Sequence, residues 1–127
     1  EIQNIVKQRF FRDEVNIWHI VDKDSINYYA ILDNVKGKSM PITFLTVFDD
    51  SASIVDVSII KYREPYGGEV GNKSWLKQFL SFTDTSNYKM GREIDAISGA
   101  TISVHSISKG IYKLSHLIHN IIRDINE

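Results

Sequence analysis

Apolar residues along this 127-residue chain follow two periods, one typical of strands and one typical of a long helix. The clearest helical pattern lies at the C-terminal end, where apolar residues recur every three or four positions from Val104 to Ile125. This spacing places them on one stripe of a helix that packs against a core. A shorter stripe of the same spacing predicts an amphipathic helix over residues 1–16.

Short runs rich in β-branched and aromatic residues occupy the region between these helices. They predict strands at residues 17–21, 28–32, 42–48 and 53–62, with a turn at residues 34–38 between the second and third. The links are only a few residues long, whereas a parallel crossover needs a dozen or more. Neighbouring strands should therefore pair antiparallel.

A second, shorter helix is predicted after the strands, from Lys73 to Phe82, and residues 83–93 form a polar loop. Strands followed by a long helix indicate the α+β class. The expected fold is an antiparallel sheet with an N-terminal helix, a short helix after the sheet and a long C-terminal helix packed on it. A chain of this length forms a single domain, residues 1–127.

The amino-acid composition argues against several classes of function and site. With 15 basic and 16 acidic residues the formal net charge is -1, so no basic surface for nucleic acid is expected. The chain has no cysteine, which excludes disulfides, iron–sulfur clusters and thiol catalysis within it. Its apolar runs are shorter than the roughly 20 residues that span a bilayer. It begins at Glu1, so we expect a processed or partial chain, with any signal peptide or membrane anchor upstream.

A turn of small and polar residues precedes the long helix, which is expected to begin near Ile102. In this turn Gly99 permits a tight backbone or a close approach to a ligand. One interpretation is a helix cap made by Ser98, Thr101 or Ser103. The other is an anion site, because the first N–H groups of a helix attract negative charge.

The complete string favours the second interpretation. Residues 95–101 read Asp-Ala-Ile-Ser-Gly-Ala-Thr, which resembles the flavinylation motif of the FMN-binding domain family, Asp-x-x-Ser/Thr-Gly-Ala-Thr. In that family the final threonine is joined to FMN by a phosphoester. The resemblance implies covalent FMN on Thr101, with Asp95, Ser98, Gly99 and Ala100 beside it.

A second segment supports the resemblance. Residues 62–71 read Tyr-Arg-Glu-Pro-Tyr-Gly-Gly-Glu-Val-Gly and are similar to the family's Glu-Thr-Pro-Gly-Leu-Gly segment near the flavin ring, from which they depart in detail. This implies ring contacts by Glu64, Tyr66 and Gly67. Trp75 follows at the family's usual distance, and the matches together run from about residue 28 to residue 111.

Two of these residues keep two interpretations. A carboxylate beside a phosphate is repulsive, so Asp95 either caps the turn or positions magnesium during cofactor transfer. Trp75 either belongs to the core or joins Tyr62 and Tyr66 as a wall for the isoalloxazine ring.

The resemblance implies an extracytoplasmic, membrane-associated electron carrier rather than an enzyme with its own catalytic residues. A separate, magnesium-dependent flavin transferase would supply FMN from FAD, and the redox partners would be membrane-bound proteins. His116 and His119 lie on one side of the helix without a carboxylate near them in sequence, so no metal site is expected.

Two alternatives remain open. The first is a binding or scaffold module of the same fold that carries no flavin. The second is a reductase that binds FMN noncovalently. The intact motif at Thr101 argues against the first, and the lack of a dinucleotide-binding fingerprint argues against the second.

Overall fold

The computed structural model describes residue 2, residues 15–88 and residues 94–126. Its strands are β1 (Asn16–Val21), β2 (Asn27–Lys36), β3 (Pro41–Asp49) and β4 (Ile54–Lys61). Its helices are α1 (Lys73–Leu76) and α2 (Thr101–Asn126), and 3₁₀ turns lie at Gly68–Gly71 and Lys77–Phe79. The helix predicted at the N-terminus lies outside the described residues, except for residue 2.

The four strands form one antiparallel sheet in the order β1-β2-β3-β4, as the short links predicted. The turn predicted at residues 34–38 was wrong in position, because β2 continues to Lys36. Asn34 pairs with Thr43, whose hydroxyl donates to the Asn34 side chain at 2.5 Å. Val35 is buried, and the turn closes where the Gly37 N–H donates to the Met40 carbonyl at 3.0 Å.

Helix α2 covers one face of the sheet and buries the apolar stripe that the sequence showed. The contact is close at Gly110, where an added Cβ would lie 2.6 Å from Val35 and 3.0 Å from Phe44. Because glycine has no side chain, the helix can approach β2 and β3 closely at this position. The fold is therefore the predicted α+β arrangement, and the head of α2 is held at one end of the sheet.

The helix after the sheet is shorter than the predicted Lys73–Phe82. Its α-helical part ends at Leu76, and the following 3₁₀ turn ends at Phe79. Beyond it the chain turns to meet the sheet, because the Ser81 N–H donates to the Ile54 carbonyl at 2.8 Å. The Phe82 carbonyl accepts from the Ile54 N–H at 3.0 Å, so the start of β4 gains backbone partners that a longer helix would remove.

Helix α2 is long and amphipathic, and it buries one charge. Lys113 is buried opposite Asp33 of β2. Burial raises the pKa of Asp33, against the lowering effects of a backbone hydrogen bond at Asn34 and the charge of Lys113.

Among the described residues, no helix is long and apolar enough to cross a membrane.

Candidate functional site

A groove of about 620 Å³ lies at the head of α2, a size within the range of sites for small molecules. Three parts of the chain meet there: the turn between β2 and β3, the segment after β4, and the beginning of α2. Its lining residues are Lys38, Ser39, Tyr62, Glu64, Pro65, Tyr66, Gly67, Gly99, Ala100, Thr101, Ile102 and Ser103. The structure thus brings together the two segments that carry the sequence motifs.

The head of α2 has no side-chain cap of the predicted kind. The Ala100 carbonyl accepts the first helical hydrogen bond, from the Val104 N–H at 2.9 Å, which makes Ala100 the N-cap residue. Alanine has no side-chain oxygen, so the cap interpretation for Ser98, Thr101 and Ser103 was wrong. The first turn of α2 contains no acidic residue. Its N–H groups and positive dipole end therefore suit an anion.

The three hydroxyl groups at this turn differ in access. Thr101, the first residue of α2, is exposed and lines the groove. Ser98 is also exposed but lines a neighbouring hollow, which shares Tyr66 and Gly99 with the groove. Ser103 is buried at 5% exposure and hydrogen-bonded to Tyr62. Thr101 is thus the exposed hydroxyl of the three that lies both in the groove and on the first helical turn.

Gly99 gives the backbone the conformation that this turn requires. Its φ is +80°, in the left-handed region that glycine adopts without steric cost. Apart from the two neighbouring residues, no described residue has an atom within 4 Å of the position that a Cβ would take. The space beside the Gly99 backbone is therefore open towards the groove and the neighbouring hollow, both of which it lines.

A hydroxyl pair ties the segment after β4 to α2. The Tyr62 hydroxyl donates to the Tyr66 carbonyl, and Ser103 Oγ lies 2.9 Å from the Tyr62 oxygen. Because a phenol has a single proton, Ser103 is the donor in the second bond. Gly67, with φ +86°, packs against this pair, since a Cβ there would collide with the Tyr62 hydroxyl. The pair fixes one wall of the groove.

Glu64 also lines the groove, but its carboxylate is bound to the turn between β2 and β3. Its Oε1 accepts from the Ser39 N–H at 2.8 Å and from the Met40 N–H at 3.0 Å. The hydrogen bond from Met40 and then that from Ser39 hold the pKa of Glu64 below its usual value. The group is ionised at neutral pH and orders the turn that carries Lys38, the cationic residue of the groove.

Two large apolar side chains stand exposed at the groove. Tyr66 is 82% exposed and Ile102 is 49% exposed. Ile102 was missed in the sequence, although a signal existed: at 100° per residue it lies opposite the apolar stripe of α2, where a polar residue is expected. Lys38 and Ser39 carry no local signal, because folding of the sheet alone brings them to the groove.

Trp75 and Asp95 meet each other away from the groove. Trp75 is buried at 8% exposure, and its Nε1 donates to the Asp95 carbonyl at 2.8 Å. The Asp95 N–H donates to Gln78 Oε1 at 2.8 Å, while the Asp95 side chain is exposed. The geometry favours the core interpretation for Trp75, and it shows that α1 and the 3₁₀ turn after it hold the start of the motif. The Asp95 carboxylate accepts no hydrogen bond from a described residue.

His116 and His119 lie far along α2 from the groove, which is lined by the first residues of the helix. The fold places one carboxylate near them that the sequence spacing did not reveal: Asp84 Oδ1 lies 3.3 Å from His119 Nε2. Within the part of the chain that the structure describes, no group of three or more histidine, aspartate or glutamate residues is placed to hold a metal ion.

Comparison with known families identifies a matching domain. The family model described as FMN-binding domain matches residues 37–115, which is more than half of the chain. The matched range contains the whole groove, from Lys38 to Ser103. No curated protein matches the chain at a significant level.

Proposed function

This chain belongs to the FMN-binding domain family, which makes it a flavin-binding module of the electron-transfer type, and we propose that it carries FMN covalently on Thr101. The observation that carries the proposal is the position of this hydroxyl. Thr101 is exposed, lies in the groove, and begins a helix whose N-cap has no side-chain acceptor. A phosphate esterified to Thr101 would lie beside the first N–H groups of α2.

The groove fits the remainder of the cofactor by its chemistry. Tyr66 and Ile102 offer exposed apolar surface, which suits a flat aromatic ring. Lys38 supplies a positive charge in the same groove. Bound FMN would accept and donate electrons, while the protein would hold it in place and shield one side of the ring.

Attachment requires a donor and an enzyme outside this chain. We infer FAD as the donor and a magnesium-dependent flavin transferase as the enzyme. In the transfer the Thr101 oxygen forms a bond to the FMN phosphorus of FAD, and the bond from that phosphorus to the bridging oxygen of the pyrophosphate breaks. AMP leaves with the bridging oxygen, and the hydroxyl proton of Thr101 is released. Thr101 is then a site of modification rather than a catalytic nucleophile.

The resemblance of residues 95–101 to the flavinylation motif supports a further part of the proposal, since it implies an extracytoplasmic, membrane-associated electron carrier. The domain would act outside the cytoplasmic membrane and exchange electrons with membrane-bound partner proteins. Fractionation of the native host, with detection of protein-bound flavin fluorescence, tests the location. Bound flavin confined to the cytoplasmic fraction would contradict it.

The central experiment is intact-mass measurement after co-expression with an active flavin transferase. The wild type should gain one FMN minus one water, and Thr101→Ala should gain nothing. Thr85→Ala is the matched control, because Thr85 is an exposed threonine that lines neither the groove nor the neighbouring hollow. It should still be modified.

The same measurement can overturn the proposal. A known acceptor domain in the same cells verifies that the transferase is active. An unmodified wild type in those cells would contradict covalent attachment. Modification of Thr101→Ala would assign the ester to another residue, and stoichiometric FMN that dissociates on denaturation would favour the noncovalent alternative.

A further inference from the structure

The two edges of the sheet are built differently. The β4 edge is interrupted by register shifts against β3 at Thr43/Phe44 and at Val47/Phe48. Its backbone is also covered, because Lys73 Nζ donates to the Val57 carbonyl at 2.7 Å and residues 81 and 82 pair with Ile54. Bulges and covering segments of this kind prevent pairing with another chain.

In the part of the chain that the structure describes, the β1 edge has none of these features. β1 pairs with β2 without a register shift over Asn16–Val21, and all six of its residues are exposed. Alternate residues of an edge strand point their N–H and C=O groups away from the sheet. No described residue makes a hydrogen bond to those outward groups of β1.

The side chains of β1 are also suited to pairing. Trp18 and Val21 are 49% and 56% exposed, and Ile17 and Ile20 are 38% and 45% exposed. The strand contains no charged residue and no proline, which are the usual protections of an edge. An apolar, uncharged edge whose outward backbone groups have no partner among the described residues is suited to pairing with another strand.

We propose that β1 of one copy pairs antiparallel with β1 of a second copy, so that two four-stranded sheets join into one. Antiparallel pairing about a two-fold axis brings a strand against its own sequence, where any charge would lie near its like. β1 has none, which favours a second copy over a charged peptide. Pairing of six residues forms about six backbone hydrogen bonds.

The two-fold axis determines which side chains become neighbours. It stands perpendicular to the joined sheet, so residues of the same face meet. Trp18 and Ile20, which lie on the face away from α2, then continue across the joint in both copies. No residue of β1 lines the groove, so both grooves stay open in the dimer. Dimer formation through β1 therefore does not depend on the proposed function, and it can be tested on unmodified protein.

Sedimentation velocity over micromolar to millimolar concentrations of the unmodified chain provides the test. The wild type should pass from monomer to dimer, and Ile20→Lys should raise the dissociation constant by about tenfold or more, because it places ammonium groups in the pairing strand of both copies. Ile60→Lys is the matched control, since Ile60 is 56% exposed at the β4 edge. It should leave the dissociation constant unchanged. Val21→Lys provides a second β1 substitution if Ile20→Lys fails to fold.

Hydrogen exchange of the β1 amides separates the possible occupants of the edge. Protection that rises with protein concentration supports the dimer. Protection that is equal at all concentrations would assign the edge to the chain's own N-terminal residues and would overturn the proposal. A monomer at every concentration, an equal effect of Ile60→Lys, or assemblies larger than a dimer would also overturn it.

Discussion

The Tyr62 hydroxyl lies 2.9 Å from Ser103 Oγ and joins the end of the sheet to the first turn of α2. These residues are 41 positions apart in sequence, so the bond sets the relative position of the two motif segments. Because Tyr62 also donates to the Tyr66 carbonyl, loss of its hydroxyl leaves two oxygen atoms without their partner.

Tyr62→Phe should lower the free energy of unfolding by about 1–2 kcal/mol, since it removes one partly buried and one exposed hydrogen bond. Ser103→Ala should cost about 1 kcal/mol. The double variant should lose less stability than the sum of the two single losses, because the two residues share one hydrogen bond. Urea unfolding of the four proteins measures this coupling, and strictly additive losses would mean that the bond contributes nothing.

The two left-handed glycines of the site predict different costs. Gly99→Ala should lose about 1–2 kcal/mol, the cost of a left-handed conformation with a side chain. Gly67→Ala should lose more, because its Cβ would also collide with the Tyr62 hydroxyl. The excess should shrink when Gly67→Ala is made in Tyr62→Phe. Equal losses at both glycines, measured by urea unfolding, would contradict the steric argument.

Asp95→Ala separates the two interpretations of this carboxylate, because it removes both a capping acceptor and a magnesium ligand. The exposed side chain accepts no hydrogen bond from a described residue, so the free energy of unfolding should change by less than about 0.5 kcal/mol. The magnesium interpretation predicts slower FMN transfer, partly restored by added magnesium. Gln78→Ala is the control, since it removes the acceptor of the Asp95 N–H and should cost about 1 kcal/mol. Destabilisation by Asp95→Ala of the same size would restore the capping interpretation.

Glu64 should make stability depend on pH on the acid side. Its pKa in the folded protein is below the usual value of 4.5, so the ionised carboxylate stabilises the fold fully above that pH. The stabilisation is lost as the pH falls from 4.5 through the lower folded pKa. The thermal midpoint of the wild type should therefore fall more steeply below this pH than that of Glu64→Gln.

The control for this measurement is Glu69→Gln. Glu69 is exposed on the 3₁₀ turn, and its side chain accepts no hydrogen bond from a described residue. The thermal midpoint of Glu69→Gln should vary with pH as that of the wild type does. If the thermal midpoint of Glu64→Gln does the same, the hydrogen bonds from Ser39 and Met40 do not stabilise the ionised form.

Local patterns were sufficient where local interactions decide the outcome. The stripe from Val104 to Ile125 predicted α2, and alternating apolar runs with short links predicted the antiparallel sheet. Boundaries were less accurate where distant partners compete. The short helix ends at the 3₁₀ turn because Ser81 and Phe82 pair with Ile54, which no local pattern shows.

The sequence by itself determined the chemistry of the site: a threonine hydroxyl after a flexible glycine at the head of an amphipathic helix, in a string that resembles a flavinylation motif. Tertiary structure alone decided that Ala100 takes the N-cap position, that Glu64 binds the β2–β3 turn, and that Lys38 and Ile102 line the groove with Thr101. The physical reason is range. Residue type and helical period are encoded within a few positions, whereas the groove exists only after the sheet and α2 pack together.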